Sequence, residues 1–237
     1  MNNTLTIAWR ETQSYFSTPT AYVVGAMFLI LTGIFFVFDV TTPFPEASVR
    51  GFISWASFFV VFLSPLLTMR LLAEEQKMGT LELLLTSPVR DWEVVAGKYI
   101  ASLLTMVVTI ALTGYYVFLL YAFGDPDSGP VLSAYLGLFL FSAAALAIGL
   151  MASSLSSNQI VAAVIGMSVL LTLSFINRVA DIVSGTAAEV LNGLSMNAHF
   201  QDFTRGIVDT GNIVYYVSLT AVFLFMTVRS LETRRWR

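Results

Sequence analysis

Residues 70–98 read RLLAEEQKMGTLELLLTSPVRDWEVVAGK, and this stretch decides how the rest of the chain is arranged. It separates two long apolar runs. Its charged side chains are Arg70, Glu74, Glu75, Lys77, Glu82, Arg90, Asp91, Glu93 and Lys98. Because charged groups are costly inside a bilayer, we expect this segment to lie outside the hydrocarbon. The residues leave two interpretations open, a solvated loop or a surface to which another protein docks.

The composition of the whole chain is that of a polytopic membrane protein. Its 237 residues are 57% hydrophobic and 11% charged, whereas a soluble domain carries about 25% charged residues. The mean hydropathy of +0.78 agrees. The chain has no cysteine, which excludes disulfides and thiolate metal sites. The first residues lack a basic start followed by an apolar core, so no cleaved signal peptide is expected.

Six apolar runs are close to the ~20 residues that a membrane-spanning helix needs. They predict an all-α, six-span protein with spans at about 21–40, 51–72, 94–123, 131–152, 160–176 and 212–228. Before them, residues 4–18 repeat apolar side chains at helical spacing, with Glu11 on the polar face. That pattern favours a helix lying in the membrane interface over a frayed polar tail. After the fifth span, residues 177–211 form a polar to amphipathic segment.

The distribution of lysine and arginine predicts the orientation in the membrane, because cytoplasmic loops carry an excess of these residues. One side of the predicted bundle would carry Arg10, Arg70, Lys77, Arg90, Lys98, Arg229, Arg234, Arg235 and Arg237. The other side would carry only Arg50, Arg178 and Arg205. Both termini and residues 73–93 are therefore predicted to be cytoplasmic, and residues 177–211 to face outward.

Turn and cap residues divide the charged segment. Gly79 is expected to break the chain's helical path, Thr80 to cap a short helix, and Pro88 to end that helix. Asp91 is expected to cap the helix that continues into the third span. Such a short helix, apolar on one face and rimmed by charge, suits docking in a groove of a soluble partner.

Two motifs resemble a known family. The sequence EEQKMGTLELLLTSPV (74–89) resembles the cytoplasmic signature of ABC type-2 exporter permeases, and the order of spans fits that family over essentially the whole chain. The sequence NAHFQDFTRGIVDTGNIVYY (197–216) resembles a stretch before the last span in the branch related to gliding-motility permeases.

The resemblance implies one transmembrane permease domain over 1–237, with a short cytoplasmic coupling helix inside 73–93. That helix would dock on an ABC ATPase subunit. The implied contacts are Glu74, Glu75, Gly79, Thr80, Leu81, Glu82, Leu84 and Pro88.

The resemblance also implies an energy source outside this chain. The only lysines are Lys77 and Lys98, and neither ends a phosphate-binding loop. ATP and Mg²⁺ would then be bound by a dimer of ATPase subunits, with no cofactor in this chain and no catalysis by it. A second permease copy, identical or paralogous, is implied, in the cytoplasmic or inner membrane of the cell. An accessory extracytoplasmic subunit is compatible with the short outer loops, and no nucleic-acid partner is expected.

Residues 197–209 predict an interfacial or partly re-entrant helix on the outer side. Its apolar stripe would consist of Phe200, Phe203 and Ile207. Its charge pairs would join Arg205 to Asp202 and Asp209. We expect this helix to close the outer side of a transport path, with candidate gate residues His199, Phe203 and Arg205. His199 is the only histidine, so no metal site is predicted.

The spans themselves contain almost no charged residue, which argues against coupling to an ion gradient and fits coupling to ATP. Hydroxyl side chains in the second and fifth spans are candidates for a path taken by an amphipathic cargo, namely Ser54, Ser57, Ser64 and Thr172. Ordinary hydrogen bonds between helices would explain the same residues. Two further functions stay open, a non-transporting mechanotransmission subunit and a membrane anchor that recruits a soluble partner.

Overall fold

The computed structural model describes residues 3–41, 48–80, 89–124, 126–183 and 185–235. Within these ranges the chain forms ten helices and no strand. The helices are α1 (Asn3–Ser17), α2 (Pro19–Val40), α3 (Arg50–Met78), α4 (Asp91–Leu112), α5 (Gly114–Phe123), α6 (Ser128–Leu155), α7 (Gln159–Ala180), α8 (Thr186–Leu194), α9 (Met196–Thr204) and α10 (Thr210–Arg235).

Six stretches of helix are long and apolar enough to cross a membrane, which confirms the all-α, six-span prediction. Five crossings are single helices, and α4 and α5 together supply the third. The sequence predicted one uninterrupted helix there. A turn separates the two helices instead, because the N–H of Thr113 bonds to the carbonyl of Ile110 and Gly114, a poor helix former, follows.

The central helix is α6, which packs against α3, α4, α7, α9 and α10. Every residue from Phe141 to Leu150 is buried. Small side chains in this stretch let α3 approach closely, as in other membrane bundles. At Gly149 a Cβ atom would collide with the hydroxyl of Thr68 on α3. The α3–α6 contact therefore depends on a glycine at this position.

The second span extends beyond its predicted end at residue 72. The helix α3 continues for more than a turn to Met78 and ends at Gly79, whose φ of 70° is left-handed. Glycine is favoured at such a helix end because it has no Cβ. Glu74 and Glu75 consequently belong to the spanning helix α3, not to a separate short helix.

The helix α1 lies against α4 and presents two different faces. Leu5 and Trp9 are 62% and 66% exposed, as an interfacial helix requires, while Ala8 and Tyr15 are buried against the bundle. Gly97 on α4 allows the close approach, since a Cβ there would lie 2.7 Å from Ile7. The sequence placed Glu11 on the polar face of this helix, and its carboxylate binds a lysine on α4.

Residues 177–211 contain the last turn of α7 and two short helices, α8 and α9. The prediction of a single helix through 197–209 was wrong. Gly206 takes a left-handed φ of 88°, and the N–H of Ile207 bonds back to the carbonyl of Asp202. This terminates α9 at Thr204, so that Ile207 leaves the apolar stripe and is 54% exposed.

A glycine substitution tests the α3–α6 contact. Gly149→Ala forces Thr68 or its helix to shift, and overpacking of this kind costs about 1–3 kcal/mol. We expect a lower midpoint of thermal unfolding for the purified protein in detergent. Gly193→Ala on α8 is the matched control, because nothing lies within 4 Å of a Cβ built there. Equal midpoints for the two variants would contradict the packing described.

Candidate functional site

The candidate docking residues lie where α3 ends and α4 begins. Glu74 and Glu75 are half-buried on the last turns of α3, and Gly79 and Thr80 are exposed just beyond it. The hydroxyl of Thr80 donates to the carbonyl oxygen of Glu75 at 3.4 Å. Four further candidates lie outside the described residues, namely Leu81, Glu82, Leu84 and Pro88, and so does the predicted short helix.

A buried lysine joins three helices at this end of the bundle. The Nζ atom of Lys98 on α4 lies 2.6 Å from Oε1 of Glu11 on α1 and 2.7 Å from Oε1 of Glu75 on α3. The lysine side chain is only 2% exposed. Lysine is almost never fully buried unless it is paired. We call Glu11, Glu75 and Lys98 the charge junction.

The charge junction contains two carboxylates and one ammonium. The second oxygen of Glu75, Oε2, is buried and has no hydrogen-bond partner among the described residues. Removing one member of a buried ion pair leaves an uncompensated charge, which costs about 3–5 kcal/mol. The three side chains therefore hold α1, α3 and α4 in a fixed relation.

Sequence reasoning did not find the charge junction. Lys98 contributed only to the count of nine positive residues that predicted which side of the membrane is cytoplasmic. The available signal was its position about two turns inside an apolar helix, directly after Gly97. A lysine there needs an anionic partner, although the sequence does not say which carboxylate supplies it.

The end of α3 is also fastened to α6. The hydroxyl of Ser153 accepts hydrogen bonds from the N–H groups of Leu72 and Ala73, both at 3.1 Å, and donates to the carbonyl of Met69 at 2.8 Å. One turn later, Nε2 of Gln76 donates to the carbonyl of Ser154 at 3.0 Å. Both contacts hold the last turns of α3 against the centre of the bundle.

Helix α1 contacts α3 a second time, through Tyr15. Its hydroxyl donates to the carbonyl of Leu67 at 2.7 Å. The guanidinium of Arg70 lies 4.5 Å above the tyrosine ring and donates to Oγ1 of Thr18 at 3.0 Å. Burial raises the pKa of Tyr15, which keeps the phenol protonated and able to donate.

The start of α4 is capped by Glu93. Its carboxylate accepts from the N–H of Arg90 at 2.9 Å and from Nδ2 of Asn3 at 3.3 Å. The sequence assigned the cap to Asp91, but Arg90 occupies the cap position and Asp91 is the first residue of the helix. The reason is that Glu93, three residues after the cap, reaches back as in a capping box. Residues 79–90 are thus bounded by a glycine stop and a capped start.

A family model described as ABC-2 type transporter matches residues 2–179. The chain belongs to the ABC-2 type transporter family. The matched residues include α1 to α6, nearly all of α7, the charge junction and the segment between α3 and α4. A search of curated proteins finds no match. The match stops before residues 197–216, so the relation to the gliding-motility branch stays a prediction.

The candidate gate residues of this permease lie on or next to α9, at the opposite end of the bundle. Phe203 is fully buried, and a Cβ on Gly137 would lie 2.5 Å from it. The ring of His199 lies 4.0 Å from the ring of Tyr215. Burial lowers the pKa of His199, and the nearby carboxylate of Asp202 only partly offsets this. The imidazole is therefore neutral near pH 7.

Arg205 does not form the predicted charge pairs. It is exposed at the end of α9 and has no ion pair within 4.0 Å among the described residues. Asp202 accepts a hydrogen bond from Nδ2 of Asn212 at 2.9 Å, and Asp209 accepts from the N–H of Gly211 at the start of α10. The helical spacing between Arg205 and Asp209 is lost at Gly206, and the carboxylate of Asp202 is bound to Asn212.

The candidate path residues separate into two groups. Ser54 and Ser57 line a cavity of about 260 Å³ between α3, α7 and α9, together with Trp55, Phe58, Arg178 and Phe200. Ser64 is buried in α3, and Thr172 is exposed and donates to the carbonyl of Ser168 on its own helix. The structure therefore brings together two of the four residues. In the described part of the chain, no group of three metal-ligating side chains is assembled.

A serine substitution tests the fastening of α3 to α6. Ser153→Ala removes three hydrogen bonds between the helices, and we expect a loss of about 1 kcal/mol or more. In a protein of this size that corresponds to about 2–4 °C in Tm. Ser154→Ala is the control, since its hydroxyl donates within α6 to the carbonyl of Met151. A control variant that loses as much stability as Ser153→Ala would refute the assignment.

Proposed function

We propose that this permease is the membrane-spanning subunit of an ATP-driven exporter in the cytoplasmic or inner membrane of the cell. Membership of the ABC-2 family gives the permease and implies an ATPase partner. In our proposal two ATPase subunits dock on residues 74–88 of two permease copies, which are identical or paralogous. The ATPases bind ATP and Mg²⁺, and this chain carries neither the nucleotide nor the hydrolytic residues.

The observation that carries the proposal is the way residues 79–90 are tethered. They connect α3, the longest described helix, directly to the capped start of α4. Because the segment is joined at its two ends to membrane spans, a force applied to it acts on both of them. The contacts of α3 with α6 and α7 then carry the movement into the bundle. This is the arrangement that a docked ATPase needs in order to drive a transport path.

The orientation in the proposal rests on the lysine and arginine count, nine residues on one side and three on the other. This orientation puts α1, the charge junction and both termini on the cytoplasmic side of the membrane. The cavity beside Ser54 and Ser57 then lies near the outer side. Its aromatic and amide lining suits an amphipathic cargo, and α9 beside it would close the path from outside. In this account His199 and Phe203 position α9, while Arg205 faces the exterior.

A mechanotransmission subunit is the second candidate, and one observation favours it. Exposed apolar side chains on and after the short outer helices form a surface for an extracytoplasmic partner, with Val190 57%, Leu194 48%, Ile207 54% and Val208 50% exposed. Movement of α3 would then be relayed to that partner without passage of cargo. A membrane anchor, the third candidate, would bind a soluble protein without stimulating ATP hydrolysis.

We call residues 79–90 the docking segment, and substitutions in it test ATPase binding. Glu82→Lys combined with Leu84→Asp should weaken retention of the ATPase on the purified permease by about tenfold, which is 1.4 kcal/mol. Glu75 is left unchanged, because it belongs to the charge junction. The measurements are the amount of ATPase retained and the rate of Mg·ATP hydrolysis by the complex. Glu189→Lys on the exposed outer helix α8 is the control and should change neither.

Retention unaffected by the double variant would contradict docking at this segment. ATP-dependent movement of a fluorescent amphiphile in proteoliposomes separates the exporter from the other candidates. An ATPase-active complex that moves no amphiphile but binds an extracytoplasmic subunit would favour mechanotransmission. A complex without Mg·ATP hydrolysis would favour the membrane anchor.

A further inference from the structure

We propose that Lys98 is the positioning residue that makes α1 and α4 move together with the docking segment when ATP binds. This inference rests on the proposed function, because it assumes that force enters at residues 79–90. In addition, we propose that the force reaches α1 and α4 through one buried cation, Lys98, as well as along α3.

The first observation is the position of the link on α3. Glu75 lies within one turn of Met78, the last residue of the helix before the docking segment. Its carboxylate is 2.7 Å from the ammonium of Lys98. Any displacement of this end of α3 therefore acts first on that ion pair. Glu74, the adjacent acid, forms no ion pair in the described part of the chain.

The second observation is that the link continues to α1. The same Nζ atom is 2.6 Å from Glu11, which is 87 residues away in sequence. Beside it, Gly97 of α4 is in tight contact with α1, where a Cβ would lie 2.7 Å from Ile7 and 3.0 Å from the carbonyl of Thr4. Helix α1 cannot slide past α4 at this crossing without losing both the contact and the ion pair.

The third observation is that α3 is fixed to α6 shortly before Glu75. Ser153 of α6 binds the backbone of α3 at Met69, Leu72 and Ala73, one turn before Glu75. Beyond it, the segment from Glu74 to Met78 is joined to α6 by the side-chain amide of Gln76 and not through its backbone, so this is the part of α3 that can move. Glu75 lies between the fixed point and the docking segment, so the charge junction is attached to the moving part of the helix.

The energetic consequence follows from burial. Separating Glu75 from Lys98 would leave a lysine that is 2% exposed with one carboxylate instead of two. Loss of a partner from a buried charge is costly, so movement of all three helices as a unit is favoured over separation. Because α1 exposes Leu5 and Trp9, its movement takes place in the membrane interface.

The test uses the absence of cysteine in the chain, which lets two introduced cysteines be labelled alone. Spin labels at Gln13→Cys on α1 and Leu132→Cys at the far end of α6 report the movement of α1, since both positions are exposed. Distances are measured by pulsed electron paramagnetic resonance on the permease–ATPase complex, with Mg·ATP and with Mg·ADP. We expect the distance distribution to differ between the two nucleotides.

The variant that tests the link is Glu11→Gln with Glu75→Gln and Lys98→Met. Lys98→Met alone would leave two buried carboxylates unpaired and could unfold the protein, whereas replacing all members of a buried ion cluster is often tolerated. We expect the triple variant to fold and to retain the ATPase. We also expect the nucleotide-dependent change in the ratio of its α1 distance populations to be smaller than in the wild type, by about fivefold or more. Lys98→Arg, which keeps the cation, should retain the shift.

An unchanged shift in the triple variant would overturn the inference while leaving ATPase docking intact. So would a wild-type complex whose α1 distance is the same with both nucleotides. Absence of the ATPase from the wild-type complex would instead overturn the proposed function itself, and co-purification detects this separately. If the charge junction served only to stabilise the fold, the triple variant would have a changed Tm but an unchanged nucleotide-dependent shift of α1.

Discussion

The structure depends on how one buried ammonium is satisfied. Lys98 enters the bundle about two turns after α4 begins, and burial of a cation there requires anionic partners. Those partners come from the first helix and from the end of the second span, so the lysine determines where both must lie. The glycine before it removes the side chain that would keep α1 away. Helix α1 is therefore an integral part of the bundle, and not an appendage on its surface.

Helix α6 has a complementary role, because it is the surface on which α3 packs. It is buried throughout its middle and meets α3 through small side chains, so the two helices approach without a layer of large residues between them. Its last turns bind the backbone and an amide of α3 through Ser153 and Ser154. Between these two contacts, Glu75 joins α3 to the charge junction. A helix that is packed on one part and ion-paired on the next suits transmission of force from a soluble partner.

The sequence allowed the membrane class, the number of spans and the family to be predicted, because each depends on long apolar runs or local motifs. Gly79 was also predicted as a helix end, since a glycine after a helical run is a local signal. Other features were missed because they depend on tertiary partners. Glu11 was predicted on a polar helix face without a partner, and the predicted pair of Arg205 with Asp209 is lost where Gly206 follows α9. Lys98 itself could be suspected from its apolar surroundings, but its partners are 87 and 23 residues away.

The proposed docking of an ATPase on the segment after α3 can be measured with a single introduced cysteine. Met78→Cys places a thiol on a side chain that is 63% exposed next to that segment, in a chain with no other cysteine. Labelling with a membrane-impermeant maleimide is compared in inside-out and right-side-out vesicles, with and without the ATPase. We expect labelling from the cytoplasmic side only, and protection when the ATPase is bound. Labelling from the external side, or equal labelling with and without the ATPase, would contradict the proposed docking.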